Sequence, residues 1–344
     1  MRDRPEGVAD SDIASALAAG WGLRVASATY CPVGFGSYHW AVADDGGLAR
    51  FVTVDDLGAE DGVRDAAFER LGRALDTALA LRRDAGLGFV VAPIPTRTGS
   101  TVCRLIAPPE ARAALGAHRA AGGPRGHRYA ISVFPMVEGE AGRFGAHRPQ
   151  DRAEVIGLLA DLHDATPVVA AGAPRTDLTL PGRDGLQDAL RNLDRAWAGG
   201  PFAEPARRLL TARADHIGRL LDDFDRLVAQ VRDTAATWVV THGEPHPGNL
   251  IRSPSGLRLI DWDTVQVAPP ERDLWLVADG ADDGLADYGR ATGRAVTTAG
   301  LALYRLWWDL ADIAIYVDEL RRPHRATEDT TASWTYLNRY LAER

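Results

Sequence analysis

The sequence predicts an α+β chain in two lobes, a small antiparallel sheet first and a larger, mostly helical region after it. Three observations predict this. Up to about residue 134 the chain runs as short strand-like segments separated by glycine turns. From residue 140 onward it runs as long stretches with apolar residues at helical spacing. That helical half is interrupted at Trp238 to Asp263, where strand-forming residues flank a proline-rich polar loop. The expected division is therefore 1–134 for the sheet lobe, 135–139 for a hinge and 140–344 for the helical lobe.

Ser11 to Gly20 places Ile13, Leu17 and Ala18 on one face, with Asp10 or Ser11 as N-cap, and is expected to pack as a short helix behind the sheet. Leu23 to Val33, Tyr38 to Ala43 and Ala49 to Val54 follow as strands, turned at Gly34-Phe35-Gly36-Ser37 and at Asp44 to Gly47. Ala66 to Leu81 sets Phe68, Leu71, Leu75 and Leu79 between charges at near-helical spacing, an amphipathic helix crossing the sheet. Phe89 to Pro95, Thr101 to Ile106 and Tyr129 to Val137 complete the expected sheet, and Ala107 to His127, rich in Ala, Gly and Arg, is expected to be a partly mobile excursion. Phe134 to Gly139 marks the change of character. Helices are predicted over Arg152 to Asp164, Gly185 to Trp197, Glu204 to Val231, Leu285 to Thr292, Thr297 to Leu320 and Ser333 to Leu341.

Composition narrows the function classes. A net charge of −8 and a pI near 5.6 disfavour binding to a phosphate backbone and suit a neutral or cationic partner; nucleic acid is not an expected partner. Cys31 and Cys103 lack metal-ligand spacing, which fits a reducing compartment. With no signal-peptide pattern and no apolar run long enough to span a bilayer, a cytoplasmic location without membrane partners is expected. The chain contains no lysine, so all 39 basic residues are arginine.

The loop after Trp238 carries the chemistry. Trp238, Val239 and Val240 enter as a strand, Pro245, Pro247 and Gly248 exclude a helix, and Ser253-Pro254-Ser255-Gly256 turns a following hairpin. Along it stand Glu244, Asn249 and Asp261, one possible base and two oxygen ligands. Phosphoryl transfer needs such a set: a carboxylate to orient the attacking hydroxyl, and an amide and second carboxylate to hold magnesium against phosphates. His242, Glu244 and His246 also raise a zinc site, but the zinc motif requires a helix that Pro245 and Pro247 forbid.

At these residues the chain resembles the aminoglycoside phosphotransferase family, whose catalytic loop reads His-Gly-Asp, four residues, Asn, then a hairpin ending in a metal-binding Asp. His242, Gly243, Asn249 and Asp261 fit, and Glu244 replaces the family's Asp, carrying its carboxylate one methylene further. The run Ala268-Pro269-Pro270-Glu271-Arg272-Asp273-Leu274-Trp275 looks like the spectinomycin-phosphotransferase branch, with Asp273 a structural carboxylate under the loop. The resemblance implies a protein-kinase-like two-lobe fold, ATP or GTP as phosphate donor, Mg2+ on Asn249 and Asp261, Glu244 as catalytic base, and a small hydroxyl acceptor, favoured as an aminoglycoside or aminocyclitol.

Gly34-Phe35-Gly36-Ser37 alone describes a tight hairpin turn as readily as a phosphate loop. By resemblance Gly34, Gly36 and Ser37 become the phosphate cover, and Pro135 C=O and Val137 N–H meet the base. The third strand should then carry a phosphate-pairing lysine with a helix Glu as its partner. Thr53 stands there instead, leaving Glu69 as that partner without a lysine. Magnesium, the loop amides or an arginine such as Arg70 or Arg73 are the candidate replacements. On the acceptor side, Asp263 lies two residues past the metal Asp on the same face of an extended segment. Asp309 and Asp312 stand with Trp307, Trp308 and Tyr316 on a helix suited to an ammonium-bearing acceptor, although the same spacing describes an ordinary polar face over core indoles. Thr53 and Glu244 also motivate a rival reading, a degenerate kinase fold that binds a nucleotide or metabolite without phosphoryl transfer.

Overall fold

The computed structural model describes residues 1–58, 61–105, 128–234, 237–278 and 282–342. The excursion expected over Ala107 to His127 lies outside them. Two compact units form, one from residues 1–175 and 238–292, the other from 176–237 and 293–344.

The first unit opens with helix α1 (Asp10–Trp21) and strands β1 (Val25–Cys31), β2 (Ser37–Asp44) and β3 (Ala49–Asp56). Helix α2 (Asp61–Arg83), β4 (Cys103–Leu105) and β5 (Tyr129–Pro135) complete an antiparallel sheet ordered β1-β2-β3-β5-β4. Alternation of side chains gives this sheet two faces. Trp40, Val42, Val52, Val54, Ile131 and Val133 pack on Ile13, Leu17 and Trp21 of α1. Ala130, on the other face, meets Leu71 and Leu75 of α2, with Phe68 and Phe134 alongside. The same face carries Thr53, which pairs in register with His39 on β2 and Ser132 on β5.

Two local expectations change. The N-cap of α1 is Ala9, in extended conformation, and Asp12 accepts its backbone N–H at 2.8 Å, so the carboxylate acts from inside the first turn. Phe89 to Pro95 is no ladder strand. It makes an isolated bridge between Val90 and Leu259 and single bonds from Val91 N–H to Leu259 O (3.0 Å) and Ile94 N–H to Val133 O (2.7 Å), because Pro93 and Pro95 remove the donors a strand needs.

The rest of this unit positions the loop. Strand β6 (Glu140–Ala141) pairs with β8 (Leu250–Ser253), and β8 with β9 (Gly256–Leu259), the hairpin read from Ser253 to Gly256. Helix α3 (Pro149–Asp164) buries Val155, Leu158, Leu159, Leu162 and His163 along one stripe, and the short α4 (Thr166–Val169) follows it. Strand β7 (Val239–Thr241) is wholly buried and pairs with β10 (Gln266–Ala268); α7 (Glu271–Leu274) and α8 (Asp282–Thr292) close the unit.

The second unit is helical: α5 (Arg183–Arg191), α6 (Ala203–Arg232), α9 (Thr298–Arg321) and α10 (Glu328–Tyr340). Helix α5 stops short of the predicted Trp197, and α10 begins before the predicted Ser333 because Thr327 and Thr330 cap it reciprocally. Among the described residues no helix is long and apolar enough to cross a membrane.

Candidate active site

The loop leaving β7 is held from beneath by one carboxylate. Asp273, fully buried at the start of α7, accepts the His242 N–H at 2.9 Å and the Gly243 N–H at 2.5 Å. His163 on α3 donates to the same carboxylate from Nε2 (3.1 Å), and its Nδ1 accepts the Tyr288 hydroxyl of α8 (2.7 Å). Burial pushes the Asp273 carboxyl up, but the His163 bond and the nearby Arg272 charge outweigh it and hold the group below its ordinary value. The carboxylate read in the sequence as scaffold therefore fixes two consecutive amides.

His242 sets the next residues. Its Nε2 donates to Ile260 O (2.8 Å), so its Nδ1 accepts the Glu244 N–H (3.1 Å), and burial depresses the imidazole to about 4. With both ring nitrogens committed, His242 has no lone pair for zinc. Trp262 stands edge-on to it at 4.7 Å between centroids. Beyond Glu244, His147 holds Pro245 O (2.8 Å), and a 3-10 turn over Pro247–Asn249 brings the Asn249 Nδ2 back to Glu244 O at 3.0 Å.

These bonds decide where the ligand atoms go. Since Nδ2 of Asn249 is committed to Glu244, Oδ1 is its remaining coordinating atom. Asn249 O in turn accepts the Ile260 N–H (3.0 Å), tying Asn249 to the residue before Asp261. Asp261 has φ +70°, a left-handed conformation that non-glycine residues seldom adopt and that clusters at functional sites.

Asp261 and Asp263 are exposed, yet enough protein lies around them to desolvate their carboxyls. This crowding raises the Asp261 carboxyl. Asp263 is raised further by Asp261, Asp55 and Glu244. Asp55, on β3, is pushed up to about 6 by burial and then by Asp261, against the bond it accepts from Ser37 Oγ at 2.6 Å. Among the described residues no three acidic, His or Cys side chains converge closely enough to hold a metal by themselves; the pair the family resemblance assigns to magnesium, Asn249 Oδ1 and the Asp261 carboxylate, is of the hard-oxygen type that ion takes when water and phosphate complete its shell. Asp55 was missed in the sequence, although it stands two residues from Thr53 and so on the same strand face.

The remaining predicted residues fall as follows. Gly34 (φ +73°) and Gly36 (φ +93°) take backbone conformations that favour glycine, and the Gly36 N–H points to Met1 Sδ (3.4 Å). Thr53 Oγ1 is 3.3 Å from His39 Nδ1, and His39, depressed to about 4 by burial, stacks on Phe51 at 5.0 Å. Glu69, Arg70 and Arg73 are exposed on α2. Pro135 ends β5, exposed, and Val137 follows it, half-buried. A groove of about 580 Å³ runs along these two residues, walled by Val90 to Pro95 and the hairpin tip. Asp309 and Asp312 lie on α9 in the second unit, where Asp312 accepts the Tyr340 hydroxyl at 2.7 Å and Trp308 Nε1 donates to the same hydroxyl at 3.2 Å.

An antiparallel sheet with a glycine turn, a buried Asp beneath a His-Gly-Glu loop, and a hairpin ending in Asp-Trp-Asp define a kinase-like fold. Residues 96–308 match the phosphotransferase enzyme family, APH, and the chain belongs to that family. It is 31% identical over 277 residues to Protein StrN of Streptomyces griseus, spanning 76% of this chain and 75% of that one. Among solved structures it superposes on spectinomycin phosphotransferase in complex with ADP and spectinomycin, with TM-score 0.69 and 15% identity over 96% of this chain and 94% of that one. It also superposes on a microcompartment-associated aminopropanol kinase, with TM-score 0.59 and 16% identity over 97% of this chain and 96% of that one.

Proposed function

We propose that the chain is a Mg2+-dependent phosphotransferase that moves the γ-phosphate of ATP or GTP to a hydroxyl of a small cationic acceptor, an aminoglycoside or aminocyclitol. The observation that carries this is the bond path from Asp273 through the amides of His242 and Gly243, and through the His242 ring, to Glu244, with Asn249 and Asp261 tied to the same loop. Family membership supports the reaction class.

In this reading the Glu244 carboxylate orients the acceptor hydroxyl and takes its proton as the new oxygen–phosphorus bond forms and the bond to the β-phosphate oxygen breaks. Asn249 Oδ1 and Asp261 hold magnesium, which when bound supplies positive charge to the phosphate oxygens. The Gly34, Gly36 and Ser37 backbone covers the phosphates, Pro135 C=O and Val137 N–H face the base, and Asp263 receives an ammonium group of the acceptor; Asp309 and Asp312 are the acceptor-binding candidates of the second unit, taken by itself. Thr53 leaves the phosphates without a strand lysine, so more of their charge falls to the metal.

A second reading keeps the nucleotide and drops the transfer. Thr53 beside Asp55 favours it, since a carboxylate stands close to where the family places a cation. Incubating the chain with magnesium, labelled nucleotide and a panel of aminocyclitols, aminoglycosides and simple amino alcohols decides between the two: a phosphorylated acceptor supports transfer, and nucleotide binding without product supports the degenerate form.

A further inference from the structure

We propose that Arg272 is a positioning residue for phosphoryl transfer, a guanidinium brace that holds the catalytic loop and the Asp-Trp-Asp segment at a fixed separation. This rests on the transfer reading above. Arg272 sits on α7 next to Asp273 and is 6% exposed, yet among the described residues it makes no ion pair. Its charge lies near the Asp273 carboxylate, which it helps hold low, but its guanidinium hydrogen bonds go to two neutral oxygens on the two segments that carry the site. Nη1 donates to Thr241 Oγ1 at 2.9 Å, on the strand entering the loop, and Nη2 donates to Thr264 O at 2.9 Å, one residue past Asp263.

The brace is closed on both sides. Thr264 Oγ1 donates to His242 O at 2.8 Å, and Thr241 Oγ1 donates to Gln266 O at 2.9 Å. The flat face of the guanidinium lies against Gly243, where φ is +104° and a β-carbon would overlap Nη2. Glycine at 243 therefore answers two demands, the left-handed backbone and the room for the guanidinium. Asp273 fixes the loop vertically through its amides; Arg272 fixes it laterally against the segment bearing Asp261 and Asp263. Together with the Thr264–His242 and Thr241–Gln266 bonds, the planar fork sets the spacing between the two segments, and an ammonium on a flexible stem cannot reach both of its acceptors in that geometry.

A double-mutant cycle tests this, with Arg272→Met and Arg272→Lys measured in the wild-type and Glu244→Gln backgrounds on the best acceptor of the panel. Arg272→Met is expected to lower kcat by about 30- to 100-fold with the nucleotide KM held within about threefold, and Arg272→Lys to lose about tenfold. In the Glu244→Gln background the Arg272 changes should cost less than about threefold, because the group whose position they disturb is already disabled. Equal losses in both backgrounds, or a kcat near wild type for Arg272→Met, overturn the brace and leave the transfer reading standing. No transfer by the wild-type chain overturns both. If Arg272→Met does not fold, the Arg272→Lys arm of the cycle decides by the same criterion.

Discussion

Asp273 accepts the Gly243 amide at 2.5 Å while its other carboxylate oxygen takes the His242 amide, so a single side chain sets the direction in which the chain leaves β7. Because His163 and Tyr288 hold Asp273 in turn, the loop rests on a buried relay reaching into α3 and α8. Such a support is firm, since every member of the relay is hydrogen-bonded within the protein.

Removing that carboxylate should unfold the support before it affects chemistry. Asp273→Ala leaves two backbone amides and the His163 Nε2–H without an acceptor in a buried place, and a loss of about 3–5 kcal/mol in denaturant unfolding is expected. Asp273→Asn keeps the shape but turns an NH2 group toward one of the donors, so it should fall between. An Asp273→Ala protein as stable as wild type would show that the amides find other partners.

Glu244→Gln keeps the loop, since Glu244 contributes its own backbone N–H and C=O to His242 and Asn249. Stability and magnesium–nucleotide affinity should change little, and turnover should fall by about two orders of magnitude or more. Single-turnover phosphate transfer with calorimetric nucleotide binding separates the two; undiminished turnover removes Glu244 from the role of base.

Much of this was legible because local rules and tertiary demands coincide. The glycine turn, the hairpin at Ser253 to Gly256 and the stripe of α3 follow from punctuation and periodicity, and Asp273 was recognisable from its motif. Phe89 to Pro95 failed because β-forming residues carried the reading while two prolines denied the ladder its donors. Asp55 failed for another reason: its significance lies in a long-range approach to Asp261, which strand alternation hints at but cannot measure. Arg272 was visible only as part of a motif, since a guanidinium folded under Gly243 depends on a glycine 29 positions away in the chain.

The phosphate side makes a prediction with a sign. Thr53 Oγ1 stands 3.3 Å from His39 Nδ1, and Asp55, two residues along the same strand face, brings a carboxylate rather than a cation to that face. Thr53→Lys should tighten magnesium–nucleotide binding by about tenfold, one charge-assisted bond of about 1.4 kcal/mol. Asp55→Asn should tighten it as well by removing the repulsion. Titration calorimetry measures both; weaker binding in Thr53→Lys would mean that another group already fills the space.

The titrations of buried groups set a pH window. His39, His242 and His246 are each depressed to about 4, chiefly by burial, against an ordinary value of 6.5. Because the unfolded chain binds these protons first, their contribution to stability is present above about pH 6.5 and lost as pH falls toward 4. Asp55 runs the other way. Its folded carboxyl is raised to about 6 from 3.8, so the unfolded state releases that proton more readily and the group disfavours folding increasingly as pH rises from 4 to 6. Between these limits the imidazoles on one side and the raised carboxyls of Asp55, Asp261 and Asp263 on the other oppose each other. Asp55→Asn takes away one opposing contribution, so the slope of stability between pH 4 and pH 6 should shift, relative to the wild type, toward greater loss on acidification. Urea unfolding midpoints across that range provide the measurement, and parallel curves would show that Asp55 carries an ordinary carboxyl.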